Sequence, residues 1–190
     1  MVLMIVLVVG FMAHLAVDLG REVPVHVLQV DRFGRALLHG PLPDLSEVVP
    51  SRFEIQYALG EFIERARGVP TDRVAMEREL TKAYAWLGPR ARAFADDWYQ
   101  HNNPYERSDS ESVTVEVTTI LSEDPQLERW TVEWEEAVRR GGTTVRTEQW
   151  RALITIGFDP DVRDRAQLFN NPWGIQIVHL DWSRKFTETK

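Results

Sequence analysis

Residues 170–186, NNPWGIQIVHLDWSRKF, decide the fold of this chain, because a turn in this stretch leads into a long amphipathic strand. The turn is signalled by Asn171 and Pro172, with Gly174 two residues further on. The apolar residues that we assign to one face of the strand are Val178, Leu180, Trp182 and Phe186. The other face begins with Ile175 and Ile177 and continues with His179, Asp181, Ser183 and Lys185. Alternation with period two is typical of a strand with one face on a core, so the chain must contain a sheet that receives this strand.

The composition indicates a globular protein with a sizeable core and an acidic surface. Of the 190 residues, 44% are hydrophobic, including seven Trp and eight Phe, which is enough for one domain and an appendage. The net charge is -7 and the chain has no basic block, so nucleic-acid binding is not favoured. The absence of cysteine excludes disulfides and thiolate chemistry.

Residues 1–20 contain an apolar run that predicts an N-terminal transmembrane anchor. His14 is the only polar side chain before Asp18, and Asp18 and Arg21 close the run. Its helical length would be about 25 Å, the short end of what crosses a hydrocarbon core. A cleaved signal peptide is an alternative, although basic residues before the run and an A-x-A-like site after it are missing. A buried helix of a soluble core is the third interpretation, although the run has no polar face.

Residues 21–44 predict a juxtamembrane arm with a short hairpin. The stretch 24–30, PVHVLQV, alternates like a strand, and 31–38, DRFGRALL, reads as a turn and a return strand. The loop 40–44, GPLPD, interrupts helix formation. We therefore expect the folded domain to occupy residues 45–190.

Three helices are predicted at the start of this domain. The first begins at the N-cap Ser51, where Glu54 completes a capping box, and ends at Gly68. The second runs from residue 71 or 72 to 87, and the third from 89 to 101. The residues predicted to face the core are Ile55, Leu59, Phe62, Ala66, Met76, Leu80, Ala83, Leu87, Ala91, Phe94, Ala95 and Trp98.

Three further strands are predicted over residues 112–121, 129–140 and 144–158. Their core-facing residues are Val113, Val115, Val117, Trp130, Val132, Trp134, Val138, Trp150, Ala152, Ile154, Ile156 and Phe158. The wet face is predicted to carry the glutamates Glu133, Glu135 and Glu136. The fold class is therefore α+β, with an N-terminal transmembrane helix, then a curved four-stranded antiparallel sheet with about three helices packed on one face.

Side chains suited to chemistry are few, so we predict no catalytic, cofactor-binding or metal-binding residues and no cofactor. The five His, at positions 14, 26, 39, 101 and 179, do not form a metal-binding spacing. The alternative is an isomerase- or dehydratase-like enzyme, or a small-ligand binder, that uses the cone between the sheet and the helices. The candidate acid–base residues for that enzyme are Asp96, Asp97, Tyr99, His101 and Asp181. The alternative requires an open cone and fails if the cone is filled by Phe94, Trp98 and Trp150.

The turn Asn171-Pro172-Trp173-Gly174 has a structural and a functional interpretation. Structurally, Gly174 would adopt a backbone conformation that other residues avoid, and the turn would set the register of the last strand. Functionally, Trp173 would be exposed or half-buried, which suits a contact with another protein.

Five segments of the chain carry a resemblance to a known family. These are PVHVLQVDRFGRA, RFEIQYALGEFIERAR, TKAYAWLG, TEQWRALITI and NPWGIQIVHLDWSRKF. Together they resemble the TrbF family of conjugal transfer proteins, relatives of the small single-pass inner-membrane subunit of type IV secretion systems. The N-P-x-G turn, here Asn171, Pro172 and Gly174, is the most specific part of the resemblance.

The resemblance implies both a fold and a role. The fold would be a nuclear-transport-factor-2-like domain in the periplasm, anchored in the bacterial inner membrane by a single pass. The role would be that of a non-enzymatic assembly subunit that binds copies of itself and other inner-membrane and periplasmic channel subunits, without direct nucleic-acid contact. In relatives the first helix and the sheet edge supply the contact surfaces, and the N-P-x-G turn is functional.

The first helix offers a candidate self-association surface on the side away from its apolar stripe. The residues on that side are Arg52, Gln56, Tyr57 and Glu61. Tyr57 is the leading candidate, because exposed aromatic residues commonly anchor interfaces.

Overall fold

The computed structural model describes residues 26–30, 36–41, 50–124, 126, 128–158, 171 and 173–185. The chain divides into two units, residues 1–47 and residues 48–190. The strands of the first unit, β1 and β2, span His26–Val30 and Ala36–Pro41 and pair antiparallel. The anchor predicted for residues 1–20 lies outside the described residues, and no helix within them is long and apolar enough to cross a membrane. The predicted arm and domain boundaries stay predictions.

The second unit opens with helices whose ends follow local capping signals. Their bounds are α1 Arg52–Arg67, α2 Arg73–Tyr84, α3 Pro89–His101 and α4 Pro104–Ser108. Before α1, the Ser51 hydroxyl accepts from the Glu54 amide and the Glu54 carboxylate accepts from the Ser51 amide, so the predicted capping box is present. The short helix α4 was not predicted: it begins at Pro104, and the Asn103 side chain caps it by accepting from the Tyr105 amide.

The remaining strands form one four-stranded antiparallel sheet in the order β3-β4-β5-β6. Their bounds are β3 Ser112–Ser122, β4 Arg129–Arg140, β5 Thr143–Phe158 and β6 Ile175–Arg184. Gly141 and Gly142 have φ angles of 55° and 83° and form the tight turn between β4 and β5. The prediction of four antiparallel strands after the helices is confirmed.

The core lies between the helices and one face of this sheet. The Trp side chains predicted for it, Trp130, Trp134 and Trp150, are 1%, 1% and 8% exposed. From the helices, Ile55, Leu59 and Phe62 of α1 and Ala91 and Ala95 of α3 join the same hydrophobic cluster. The described helices therefore pack on one face of the sheet, as expected.

The face assignment of β6 was wrong in part. Val178 was assigned to the core, but it is 40% exposed, whereas Ile175 and Ile177 are fully buried. The pairing register with β5 shifts at Thr155/Ile156, which places a bulge in β6 near Val178. Because of this bulge, the buried side chains of β6 are at odd-numbered positions before Val178 and at even-numbered positions after it. As predicted, Leu180 and Trp182 are buried; the assignment of Phe186 lies outside the described residues.

Two more assignments were wrong. Phe158, the last residue of β5, is 45% exposed, although its partner on β6, Ile175, is fully buried. Glu136 was placed on the wet face but is 1% exposed, because its side chain lies on the same face of β4 as Trp134 and Val138. Its buried carboxylate is held by a specific partner, described below.

Candidate interaction surface

The turn before β6 is closed by its first and last residues. Asn171 is buried, and its amide group forms two hydrogen bonds with Ile175: Nδ2 donates to the carbonyl at 2.7 Å, and the Ile175 amide donates to Oδ1 at 3.0 Å. Gly174 has φ +60°, the left-handed conformation that the sequence predicts, and its amide donates to the Asn171 carbonyl at 3.2 Å. Pro172 lies outside the described residues. These hydrogen bonds therefore fix the backbone of the turn that carries Trp173.

Trp173 meets the first helix, which joins two features that the sequence presented separately. Its ring lies 6.4 Å from the ring of Tyr57 in an edge-on arrangement. Tyr57 is 63% exposed, and Phe53, one turn earlier on α1, is 80% exposed. We call Phe53, Tyr57 and Trp173 the aromatic patch. Sequence reasoning missed Phe53; the signal was its position four residues before Tyr57, on the same side of the helix.

The other helix residues proposed from sequence have different roles. Arg52 is exposed at the start of α1. Gln56 is half-buried, and its side-chain amide donates to the Ile120 carbonyl on β3 at 3.0 Å. Glu61 is half-buried and paired with Arg65. Of the four proposed residues, Tyr57 is the one whose side chain belongs to the aromatic patch.

The space between the sheet and the helices contains a buried ion pair. Arg67, at the end of α1, donates from Nε to Glu136 Oε1 on β4 at 2.7 Å, and the indole of Trp134 donates to the same oxygen at 2.9 Å. Both side chains of the ion pair are almost inaccessible, at 3% and 1%. A buried charge needs such a partner, because removing it from water is costly.

Tryptophan rings complete the surroundings of the Arg67 guanidinium. Its central carbon lies 4.3 Å from the ring of Trp150, 4.7 Å from Trp98 and 5.0 Å from Trp182. Guanidinium groups are attracted to aromatic faces at these distances. The enzyme alternative was expected to fail if side chains including Trp98 and Trp150 filled the cone. Both rings pack around the guanidinium of Arg67, which is a cation of the chain itself.

The residues considered for acid–base chemistry do not all converge: Asp96 and Tyr99 line one groove, whereas Asp97, His101 and Asp181 do not. Asp97 and His101 are exposed on α3, and the Tyr99 hydroxyl donates to the Ala66 carbonyl at 2.6 Å. Asp96 accepts from the Tyr84 hydroxyl at 2.7 Å, and burial together with this bond raises the pKa of Tyr84. Asp181, with His179, lies on the exposed face of β6.

An open groove of about 970 Å³ lies between α2, α3 and α4. Tyr84, Tyr99 and Tyr105 line it, together with Arg92 and Asp96. Over the described residues, no group of three or more His, Asp or Glu side chains is arranged to hold a metal ion. Among its described lining residues, the groove therefore has no assembled metal site.

These features define an α+β domain of the nuclear-transport-factor-2-like kind, with a filled interior and an exposed aromatic patch. The chain belongs to the VirB8 family: the sequence model described as "VirB8 protein" matches residues 1–185. It is 27% identical to the conjugal transfer protein TrbF of Rhizobium radiobacter over 161 residues, which cover 83% of this chain and 71% of that protein.

Solved structures agree with this fold. The soluble domain of TrwG, a type IV secretion protein from Bartonella grahamii, superposes with a TM-score of 0.62 at 14% identity, covering 74% of this chain and 100% of that one. Agrobacterium tumefaciens VirB8 superposes with a TM-score of 0.61 at 13% identity, covering 75% and 99%. At such identities these structures establish the shared fold.

Proposed function

We propose that this chain is a non-enzymatic assembly subunit of a conjugative type IV secretion system. Membership of the VirB8 family and similarity to a conjugal transfer protein support this role. The solved relatives include components described as parts of the type IV secretion machinery. In this proposal the apolar residues 1–20 anchor the chain in the bacterial inner membrane, and the second unit lies in the periplasm.

The aromatic patch is the observation that carries the mechanism. Phe53 and Tyr57 are exposed on a helix whose opposite side is packed into the core, and Trp173 stands on a turn closed by hydrogen bonds. Exposed aromatic residues on rigid supports lose little conformational entropy on binding, so they serve as interface anchors. The patch would therefore contact a second copy of this chain.

Anchoring in a membrane makes weak contacts of this kind sufficient. Copies held in one plane meet at a high effective concentration, so association needs less affinity per contact. Once self-association occupies the aromatic patch, other faces of the domain are available for inner-membrane and periplasmic channel subunits. This role requires no cofactor, no metal and no direct contact with nucleic acid.

The test is the charge substitution Tyr57→Arg, with Tyr105→Arg as the matched control. Tyr105 is 38% exposed on α4 and is not part of the patch. Placing a cation at an apolar contact should weaken self-association by about tenfold or more, since losing one aromatic anchor costs about 2 kcal/mol. Sedimentation velocity measures the association, and conjugation frequency measures the function.

Tyr57→Arg should lower both quantities, and Tyr105→Arg should leave both unchanged. Equal self-association of wild type and Tyr57→Arg would show that the patch is not the contact. Normal conjugation by a variant that no longer self-associates would separate the patch from the transfer function.

A further inference from the structure

The edge strand of the sheet has backbone groups without a strand partner. β3 is the first strand of the sheet, with β4 on one side only. At its start, Val113 exchanges two hydrogen bonds with Val69, at 2.9 and 3.0 Å, so the backbone of Val113 points away from β4. Strand geometry repeats every two residues up to the register shift that follows Val117, so the backbone groups of Val115 and Val117 point the same way. No described residue outside the sheet is bonded to them.

A groove runs along this open edge. It lies between α1 and β3 and has a volume of about 410 Å³. The residues that line it are Gln56, Tyr57, Gly60, Glu61, Glu64, Val117, Thr118, Thr119 and Ile120. Gly60 widens it, because a Cβ at this position would lie 3.5 Å from Ile120 Cδ1. The bond from Gln56 to the Ile120 carbonyl closes one end of the edge, and the Val69–Val113 pair closes the other.

The helix side of this groove is acidic. Glu61 is paired with Arg65, which also approaches Glu79 at 3.3 Å. Glu64 forms no ion pair with a described residue, and partial burial, followed by the nearby Glu61 carboxylate, raises its pKa. A cation in the groove would relieve the repulsion between the two carboxylates.

We propose that this groove binds an extended basic segment of another protein, which adds as a strand to the open edge of β3. From Tyr57 to Glu64 the helix side is about 10 Å long, equal to about three residues of extended chain. The segment's backbone would pair with Val115 and Val117, and its basic side chains would reach Glu61 and Glu64. This docking goes beyond the self-association proposed above, which depends on the aromatic patch.

The first arm of the test measures charge. The probe is a capped seven-residue peptide of alternating lysine and valine, and its binding to the full chain is followed by fluorescence anisotropy. Glu64→Lys should weaken binding about tenfold or more, because a like charge would face the peptide. The control Glu77→Lys makes the same charge change at an exposed position of α2 outside this groove. Equal weakening by both variants would reduce the effect to net charge and overturn the proposal.

The second arm measures backbone pairing. A peptide of the same sequence, N-methylated at alternate residues, cannot donate to the edge of β3 and should bind about tenfold more weakly. If it binds as tightly as the parent peptide, or if the parent does not bind at about 1 mM, strand addition is overturned. In sedimentation, Glu64→Lys should self-associate like wild type. The test of peptide binding is therefore separate from the test of self-association with Tyr57→Arg.

Discussion

Two residues of the turn before β6 explain its N-x-x-G pattern. Asn171 is buried, and its amide both donates to and accepts from the backbone of Ile175, a pairing that the carboxylate of aspartate could not reproduce. Gly174 has φ +60°, where a Cβ would be strained. The turn could be recognised from sequence because proline and glycine mark such positions directly.

Replacing Gly174 tests the special backbone conformation at the residue scale. Gly174→Val should destabilise the domain by about 1–2 kcal/mol, the cost of the left-handed region for a residue with a Cβ. Gly174→Asn should cost less, because asparagine tolerates this region. Urea unfolding measures both variants. Equal stability of wild type and the valine variant would contradict the argument.

Some contact residues could not be identified from the sequence pattern alone. Tyr57 and Trp173 were each proposed from sequence, but their contact joins residues 116 positions apart, which no local pattern encodes. Phe53 lies outside the apolar stripe of α1, and its spacing of four residues from Tyr57 was the available signal that both lie on one side of the helix. Glu136 could have been found: it continues the even-numbered inner face of Trp130, Val132 and Trp134, and a charged residue there predicts a buried partner.

At the scale of elements, helix ends were easier to predict than strand faces. The capping box at Ser51 and the proline in the first turn of α3 are local signals, and both helices begin where expected. The bulge near Val178 depends on how β6 pairs with β5, so the period-two rule placed this residue on the wrong face. Helix α4 is only five residues long, too short to show an apolar period.

The ion pair between Arg67 and Glu136 joins α1 to β4, so its removal tests how these elements are held together. Arg67→Met should lower the free energy of unfolding by about 3–5 kcal/mol, because a buried carboxylate loses its cation. Adding Glu136→Leu should recover part of that loss, since no buried charge remains but the Trp134 indole loses its acceptor. The exposed Arg52→Met is the control and should change stability by less than about 0.5 kcal/mol. Unfolding in guanidinium chloride measures these free energies. If Arg67→Met has the same free energy of unfolding as wild type, the ion pair does not hold α1 to β4.

At the scale of the whole molecule, arginine residues gather around one carboxylate although the chain is acidic. Glu111, just before β3, is 8% exposed and accepts from Arg140 of β4 at 2.6 Å. It also accepts from Arg146 of β5 at 3.3 Å and lies 3.8 Å from Arg107 of α4. The Glu111 side chain thus connects the short helix α4 with two strands of the sheet, β4 and β5.

This cluster predicts how stability depends on pH. The hydrogen bond from Arg140, with the charge of Arg146, holds the pKa of Glu111 below its usual value. A lowered pKa in the folded state gives stability that is fully present above the unfolded pKa of about 4.3 and is lost as pH falls through the folded value. Wild type should therefore lose stability as the pH falls below about 5.

In Glu111→Gln this loss should be smaller, because the group that binds the extra proton on unfolding is absent; the substitution also lowers stability at neutral pH. The matched control is Glu116→Gln, since Glu116 is exposed and makes no ion pair with a described residue. Urea unfolding at several pH values measures the slope for each protein. The slope does not vanish in Glu111→Gln, because bonds from Lys185 and Arg151 also lower the pKa of Glu133. Parallel curves for wild type and Glu111→Gln would show that Glu111 is protonated equally in both states, and the cluster would then not be the source of acid sensitivity.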